Sequence, residues 1–450
     1  MTVSTLSETP DGGALRDEIA RRLRRRAVMP LVAIGLALLY LVYAWFAFDV
    51  SKSIRNTDVE KVAILGLDSV AHKVHVTKGL RGRNAGEIVV AVEGERTSTW
   101  DVPPGWVELD GTDAVVDLGG GYLVRIVETA VEFTVPDYGV IRTGIVDDLI
   151  VTELPGPAPG WLRATDAKFD ARPSIGRRVQ LSRSKIEIHR YYGGWENFFF
   201  EFDSPFSGLS FGEVIGAAFS SDRVDPTRPN WMTMIDEIWT NADWQHGQVA
   251  IALWETLLMA VLGTMTAAIV GLPLALLAAS NFTPSRILRF AVRRVFDFLR
   301  GIDNLIWSLI FIRAFGLGPL TGSLAIAFTD TGTLGKLFSE ALENIDDRQV
   351  EGVRSTGSGA FLAFRFGVIP QILPLFVSQT LYYLESNTRS ATVIGALGAG
   401  GIGLLLVQTI GTSRDWENTL YIILLTVILV FIMDGVSGWL RARLIGREAV

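Results

Sequence analysis

Cysteine is absent from all 450 residues, so disulfides contribute nothing to this chain and thiols give no reading of its redox compartment. Histidine occurs four times, at His72, His75, His189 and His246. The close pair, His72 and His75, has no third ligand nearby in sequence, so no metal site is expected. A phosphate-cradling loop ending in Gly-Lys-Ser/Thr is also missing: Gly335-Lys336 runs into Leu337, and Asp330 stands where the first glycine belongs. Any ATP hydrolysis coupled to this chain is therefore expected from another polypeptide. Basic residues do not predominate, the formal charge being −7, so nothing favours a nucleic-acid partner. No nucleophile, base and orienting group stand together, and no cofactor is expected. Asp147-Asp148 and Asp346-Asp347 read as turn or helix-start acids, not as catalytic pairs.

What the chain has is apolar length. Hydrophobic residues make up 49% of it, with a mean hydropathy of +0.33. Ala27 to Phe48 contains no charge, and a membrane span needs about 20 such residues. Five arginines precede it, but no small-residue cleavage site follows, which predicts an uncleaved anchor with residues 1–26 in the cytoplasm. Further apolar segments near 249–279, 302–318, 319–338, 364–385 and 418–440 bring the expected number of transmembrane helices to six. Asp303, Arg313, Asp330 and Lys336 interrupt the third and fourth, where a charge either faces a bundle interior or marks a span end. Arginines cluster in 1–26, 281–300, 340–363 and 441–450, while the two short opposite loops hold only Arg389 and Arg414. By the positive-inside rule those four segments are cytoplasmic.

Residues 49–248, between the first and second spans, read as an extracytoplasmic β-rich insertion ending in a helical segment. Strand-like alternation runs through Glu87–Glu93, Gly121–Val127 and Val179–His189. Turn chemistry at Pro103-Pro104-Gly105, Gly119-Gly120-Gly121 and 155–160 separates them. Residues 51–247 hold 20 Lys plus Arg against 29 Asp plus Glu, a net of −9, so this region is a poor collector of anions. Trp231, Trp239 and Trp244 precede the second span and suit either a membrane interface or packing against the insertion.

The most distinctive stretch is Glu340 to Pro374, polar and glycine-punctuated between apolar runs. Glu351-Gly352-Val353, Arg354, then Gly357 six residues after Glu351, and finally Ile369-Pro370 resemble the cytoplasmic coupling loop of ABC importer permeases. Gly352 and Val353 replace two alanines of that pattern, and Gly367 stands where isoleucine is usual. Glu255-Thr256-Leu257, Arg300 to Trp307, Gly316-Leu317-Gly318-Pro319, Gly332 to Ala341, and Glu385-x-Asn387-x-Arg389 running to Gly403 extend the likeness over about 190 residues. Together they resemble the permease subunit of phosphonate ABC importers, within a methionine-importer-like family. Asp303-Asn304 departs from the family's Pro-Glu, and the insertion has no counterpart in its usual members.

The resemblance implies a bacterial inner-membrane, multi-pass permease for phosphonates or related phosphorus oxyanions, with no ATPase site of its own. Its permease domain is 249–440, with the coupling loop at 340–363 and a cytoplasmic C-terminus at 441–450. Implied partners are cytoplasmic ATP-binding subunits, an extracytoplasmic phosphonate-binding protein, a second permease subunit, identical or not, and membrane lipid. Glu351, Gly352, Val353, Arg354 and Gly357 would meet the ATPase. Glu385, Asn387, Arg389, Gly398, Gly400 and Gly403 are the translocation-path candidates. Arg389 can hydrogen-bond an oxyanion, or anchor at headgroups, or pair with Glu385. Gly398 to Gly403 also fits the G-x-G-x-x-G spacing, but no strand precedes it to open a βαβ unit. A permease for phosphite, a phosphate ester or an amino acid, and an intramembrane enzyme, stay open as alternatives.

Overall fold

The computed structural model describes residues 12–55, 59–83, 85–92, 104–195, 197–201, 203–412 and 416–445, in two compact units, Met1–Ile64 and Leu65–Val450. Glu93, Pro103 and Arg414, used above, lie outside the described residues, as do 446–450 of the C-terminal segment.

The first unit is mainly α1 (Gly12–Ala47), followed by α2 (Val50–Arg55) and the start of α3 (Val59–Val70), which crosses the unit boundary. Along Val28–Ala47 the apolar side chains face outward, Met29 at 77% exposure and Phe46 at 74%. Twenty helical residues rise about 30 Å, the thickness of a bilayer's hydrocarbon core. Such a surface is stable only in lipid.

After the end of α3, the described residues of the second unit first form twelve antiparallel strands. The first sheet contains β1 (Ala71–Gly79), β2 (Ile88–Val92), β9 (Leu162–Thr165), β10 (Lys168–Ser174), β11 (Arg177–Ser182) and β12 (Lys185–Gly193), ordered β2-β1-β12-β11-β10-β9. The second is a meander of β3 (Val107–Asp110), β4 (Asp113–Gly119), β5 (Tyr122–Val127), β6 (Ala130–Val135), β7 (Gly139–Val146) and β8 (Leu149–Glu153). Alternate residues of both sheets meet in one core, including Val76, Val124, Phe133, Ile141, Phe169, Ile186 and Ile188. The sheets are tied by Arg177 Nε donating to the Leu118 carbonyl at 2.9 Å and Arg190 Nη1 to that of Asp117 at 2.8 Å.

One expected strand is corrected. Val179–His189 is not continuous but two strands of a hairpin, with Leu181 paired to Ile186 and a turn at Arg183-Ser184. The physical reason lies in the core residues, which are odd-numbered before the turn (Val179, Leu181) and even-numbered after it (Ile186, Ile188). Ser182 closes the turn, its hydroxyl accepting from Lys185 N at 3.2 Å and donating to Lys185 O at 3.0 Å. His72 and His75, three apart on β1, point to opposite faces of the sheet.

The chain leaves β12 through an aromatic hub. Trp195 packs on Trp244 with ring centroids 5.0 Å apart, and Phe198 packs on Tyr421 at 5.3 Å. His246 bonds Tyr421 Oη at 2.8 Å through Nδ1 and the Phe198 carbonyl at 2.5 Å through Nε2. Trp244 is thus a buried packing residue, whereas Trp231 and Trp239, on α5 (Asn230–Thr240) after α4 (Phe211–Ala218), are 42% and 52% exposed.

The helical half follows: α6 (His246–Ala278), α7 (Arg286–Gly301), α8 (Asn304–Phe315), α9 (Pro319–Glu343), α10 (Asp347–Arg354), α11 (Ala360–Ala363), α12 (Ile369–Ile394), α13 (Gly401–Thr412) and α14 (Trp416–Ile445). Among the described residues four helical segments are long and apolar enough to cross a membrane: Val28–Ala47, His246–Ala278, Ala360–Ala399 and Trp416–Leu444. The protein is a helical membrane protein with a β-rich region. Between α6 and α9 small residues let the backbones close up, a Cβ on Gly271 meeting Gly335 N at 3.3 Å. The segment 281–300, expected as an arginine-rich cytoplasmic segment, holds the amphipathic helix α7. Phe296 and Val292 are buried there, while Ile287, at 83%, and Phe290, at 64%, are exposed.

Candidate functional site: a helical elbow and a buried polar cluster

Two features concentrate the predicted site residues. The first is the elbow between α9 and α12. Asp346 caps α10, its carboxylate accepting from Arg348 N at 3.0 Å, which makes the Asp346-Asp347 pair a helix start. After Arg354 the chain reverses at Gly357, whose φ of +84° suits glycine far better than any residue with a Cβ. Ser358 Oγ closes the reversal by donating to the Val353 carbonyl at 2.7 Å. The elbow then enters α11, a π-helical turn at Phe364–Val368, and α12.

Gly367, the departure from the family pattern, has a reason here. A Cβ on it would lie 3.0 Å from Val350 Cα, so only glycine lets α10 sit on the start of α12. Gln371 fixes the same seat, accepting from Asp346 N at 2.8 Å and donating to the Gly367 carbonyl at 2.6 Å. On the outer side Glu351, Gly352, Arg354 and Gly357 are exposed, Val353 is half-buried, and Phe361 protrudes at 72% exposure. The elbow is a firmly seated surface that offers one carboxylate, one guanidinium and one aromatic ring around an open glycine turn.

Nearby, Arg293, Arg294, Asp297, Lys336, Ser339, Glu340 and Glu343 line a cleft between α7 and α9. Arg293 Nη2 lies 2.5 Å from Glu343 Oε1. Asp297 is held below the ordinary carboxylate range, chiefly by the hydrogen bond from Arg300.

The second feature is inside the bundle. Asn387 of α12 is 4% exposed, and its Nδ2 donates to Asp330 Oδ2 of α9 at 2.5 Å and to Thr264 Oγ1 of α6 at 2.8 Å. Asp330 is 7% exposed and Thr264 is fully buried. Three helices are thereby joined through one amide. Arg389, two residues on, does not enter this cluster. Its side chain is 58% exposed and its Nη2 lies 3.4 Å from Glu385 Oε1, one helical turn away. Asn387 and Arg389 therefore occupy different surroundings.

The glycine-rich segment forms the break between α12 and α13, with Gly398 at φ +112° and Gly400 at +89°. Gly401 N donates to Glu255 Oε2 and Ile402 N to Thr256 Oγ1, both at 2.9 Å. The opening turn of α13 is thus taken by a carboxylate of this same chain, which removes it as a phosphate cradle. Gly403 packs so closely that a Cβ there would fall 1.8 Å from the Thr392 carbonyl oxygen.

Sequence reasoning left Asp330 as either facing a bundle interior or marking a span end, and gave Thr264 no part. The available signal was Asp330 itself, a lone carboxylate in an otherwise apolar and small-residue segment.

A bundle of apolar helices joined by buried polar bonds, with an exposed elbow seated between two of them, defines a multi-pass membrane component. A family model described as "Binding-protein-dependent transport system inner membrane component" matches residues 271–446. The HtxC protein of Stutzerimonas stutzeri, named for a phosphite transport system permease, is 35% identical over 187 residues, 42% of this chain and 66% of that protein. The phosphate-import permease protein PhnE of Mycolicibacterium smegmatis is 45% identical over 152 residues, 34% of this chain and 29% of that protein. The chain thus spans less than two thirds of either relative. The phosphite transport system permease protein PtxC of Stutzerimonas stutzeri is 35% identical over 189 residues, 42% of this chain and 68% of that protein. The chain belongs to the family of inner membrane components of binding-protein-dependent transport systems.

Proposed function

We propose that this chain is the membrane-spanning permease subunit of an ATP-driven ABC importer for a phosphorus oxyanion, a phosphonate or phosphite. The observation that carries the reading is the elbow. A transport subunit without a nucleotide loop must receive work from outside, and Gly357 with Glu351, Arg354 and Phe361 makes a seated surface for it. The names of HtxC, PhnE and PtxC support the substrate class.

In this reading six helices span the bilayer, the short α8 and the polar-centred α9 among them, and 49–248 lies outside the cell membrane. The elbow, within 340–363, lies in the cytoplasm against an ATP-binding subunit. A second permease subunit and an extracytoplasmic binding protein complete the assembly. ATP-driven closure of the ATPases would pull the elbow, and α12 with it, shifting the bundle between inward-open and outward-open states.

Within the path, Asn387 acts as a lock between helices and not as an oxyanion ligand, because the Asp330 carboxyl beside it repels an anion. Arg389, held loosely by Glu385, is the oxyanion contact, and Gly398, Gly400 and Gly403 shape the break next to it. The test uses three variants of the assembled transporter, one read by co-purification and two by uptake in proteoliposomes. Glu351→Lys should weaken co-purification of the ATPase. Arg389→Ala should reduce uptake of labelled phosphite or phosphonate several-fold while leaving assembly intact, with Arg389→Lys in between. An undiminished complex with Glu351→Lys refutes the elbow contact, and undiminished uptake with Arg389→Ala refutes the path assignment.

A further inference from the structure

Four histidines in a cysteine-free chain leave few soft ligands, and the fold brings two of them together. His75 on β1 is directly opposite His189 on β12 in the antiparallel register, although 114 positions separate them. Their rings stack, centroids 4.0 Å apart and planes within 15°. Glu187 stands two residues before His189, so both project from the same face of β12. One ligand atom from each of His75, Glu187 and His189 lies within 4.8 Å of the others. His189 is 7% exposed, and His75 and Glu187 are half-buried.

We propose that His75, Glu187 and His189 form a binding site for a divalent transition metal of the zinc class. Two imidazole nitrogens and a carboxylate suit zinc, nickel or copper, whereas calcium and magnesium require oxygen ligands. Ligand atoms in a tetrahedral zinc site sit about 3.4 Å apart, given bonds of about 2.0 to 2.1 Å. Small side-chain rotations cover the difference, because the β1 and β12 backbones already hold all three residues on one face. Two strand neighbours at i and i+2 with a third from across the ladder form a three-ligand set. It leaves one coordination position for water or an added anion.

The charges around the site are compatible with a cation. Lys185 Nζ lies 2.5 Å from Glu187 Oε1, which leaves Oε2 to coordinate. Arg178, opposite His189 on β11, gives its guanidinium to Asp170 through bonds of 2.9 and 2.7 Å. Lys73 is 2.9 Å from Asp68. Arg178 and Lys73 are therefore matched by carboxylates outside the site, while Lys185 shares Glu187 with it.

The location gives the site a purpose. β1 is where the chain enters the sandwich and β12 is where it leaves, so a metal bound by His75 and His189 would staple the neck of the domain.

The full chain, purified in detergent with a tag free of histidine and stripped with a chelator, should take up one Zn²⁺ per molecule in competition with a chromophoric chelator. Co²⁺ in its place should give the visible absorption of a tetrahedral site. His75→Ala and Glu187→Gln should each weaken binding more than ten-fold, by analogy with the ten- to hundred-fold losses that follow even from removing groups behind the ligands. His72→Ala, on the opposite face, should leave it unchanged. Glu187→Gln keeps the side chain's shape, so it reports on binding even if the histidine variant folds poorly. Failure of the stripped chain to bind Zn²⁺, or binding equal in wild type and Glu187→Gln, overturns the proposal.

Discussion

Asn387→Ala is the substitution whose outcome follows most directly from the bundle interior. The amide is 4% exposed and serves two acceptors on two other helices, Asp330 on α9 and Thr264 on α6. Truncation leaves a nearly buried carboxyl and a fully buried hydroxyl without this donor. A hydrogen bond to a charged group is worth about 1.5 to 3 kcal/mol and a neutral one about 1 kcal/mol, so the loss should be about 3 kcal/mol. For a helical region of this size that corresponds to a fall of roughly 6 to 12 °C in the apparent unfolding temperature. The measurement is thermal unfolding of the detergent-purified chain followed by tryptophan emission. Arg389→Ala, on the exposed face, serves as the control and should change stability by less than about 0.5 kcal/mol. Asp330→Ala combined with Asn387→Ala should be milder than the sum of the single changes, with a coupling of about 0.5 to 3 kcal/mol, because removing both partners leaves no orphaned carboxyl or amide, only the Thr264 hydroxyl. Strict additivity, or an Asn387→Ala as harmless as Arg389→Ala, would refute the lock. The assay needs no substrate and stands apart from the transport assignment.

Gly403→Ala should displace α13, because its Cβ would fall on the Thr392 carbonyl and 2.7 Å from Ala396 N; a cost of about 3 kcal/mol or more is expected, visible as lost thermal stability. Gly411→Ala, with nothing within 4 Å, should be neutral or stabilising by up to about 1 kcal/mol. Asp170 has its pKa lowered: burial pushes it up, but the hydrogen bonds and charge of Arg178, with Gln180 and Lys168, outweigh this. Its contribution is therefore full above the unfolded carboxylate's pKa, near 3.9, and fades as pH falls through the lower folded value. Asp170→Asn should cost about 2 kcal/mol at pH 7 and flatten the acid side of the stability curve, measured by denaturant titration between pH 2 and 7. Single cysteines at Ser184 and Thr356, both exposed, should react with a membrane-impermeant maleimide from opposite faces of the membrane; labelling from one face would overturn the proposed topology.

Much of the helical half could be read from the sequence because its punctuation is local. The break before Pro319 is set by Gly316 and Gly318, and the elbow's reversal is set by Gly357, residues whose backbone freedom acts without help from distant chain. The hairpin at Arg183-Ser184 was missed because its polar turn continues a plausible alternation, although the change of parity between Leu181 and Ile186 was there to be seen. Helix α7 was passed over because its five arginines were read only for the side of the membrane they mark, and not for their spacing against Val292 and Phe296. The Thr264, Asp330 and Asn387 cluster could not be derived locally: its members lie 66 and 57 positions apart, and only the packing of α6, α9 and α12 brings them together. The same holds for His75 and His189, where strand pairing across the whole sandwich makes neighbours of distant residues.

The aromatic hub has a mechanical consequence. The sandwich is fastened, through Trp195 and Phe198, to the place where α6 begins and α14 passes, with His246 and Tyr421 as the rivets. Any tilt of those two helices must carry the sandwich with it, as a pointer is carried by its pivot. A nine-residue strand such as β1 is roughly 30 Å long, so a rotation of a few degrees at the hub moves the far edge by more than an ångström. Because Trp195 and Trp244 sit at the pivot itself, their emission would register that rotation once the other ten of the twelve tryptophans are replaced.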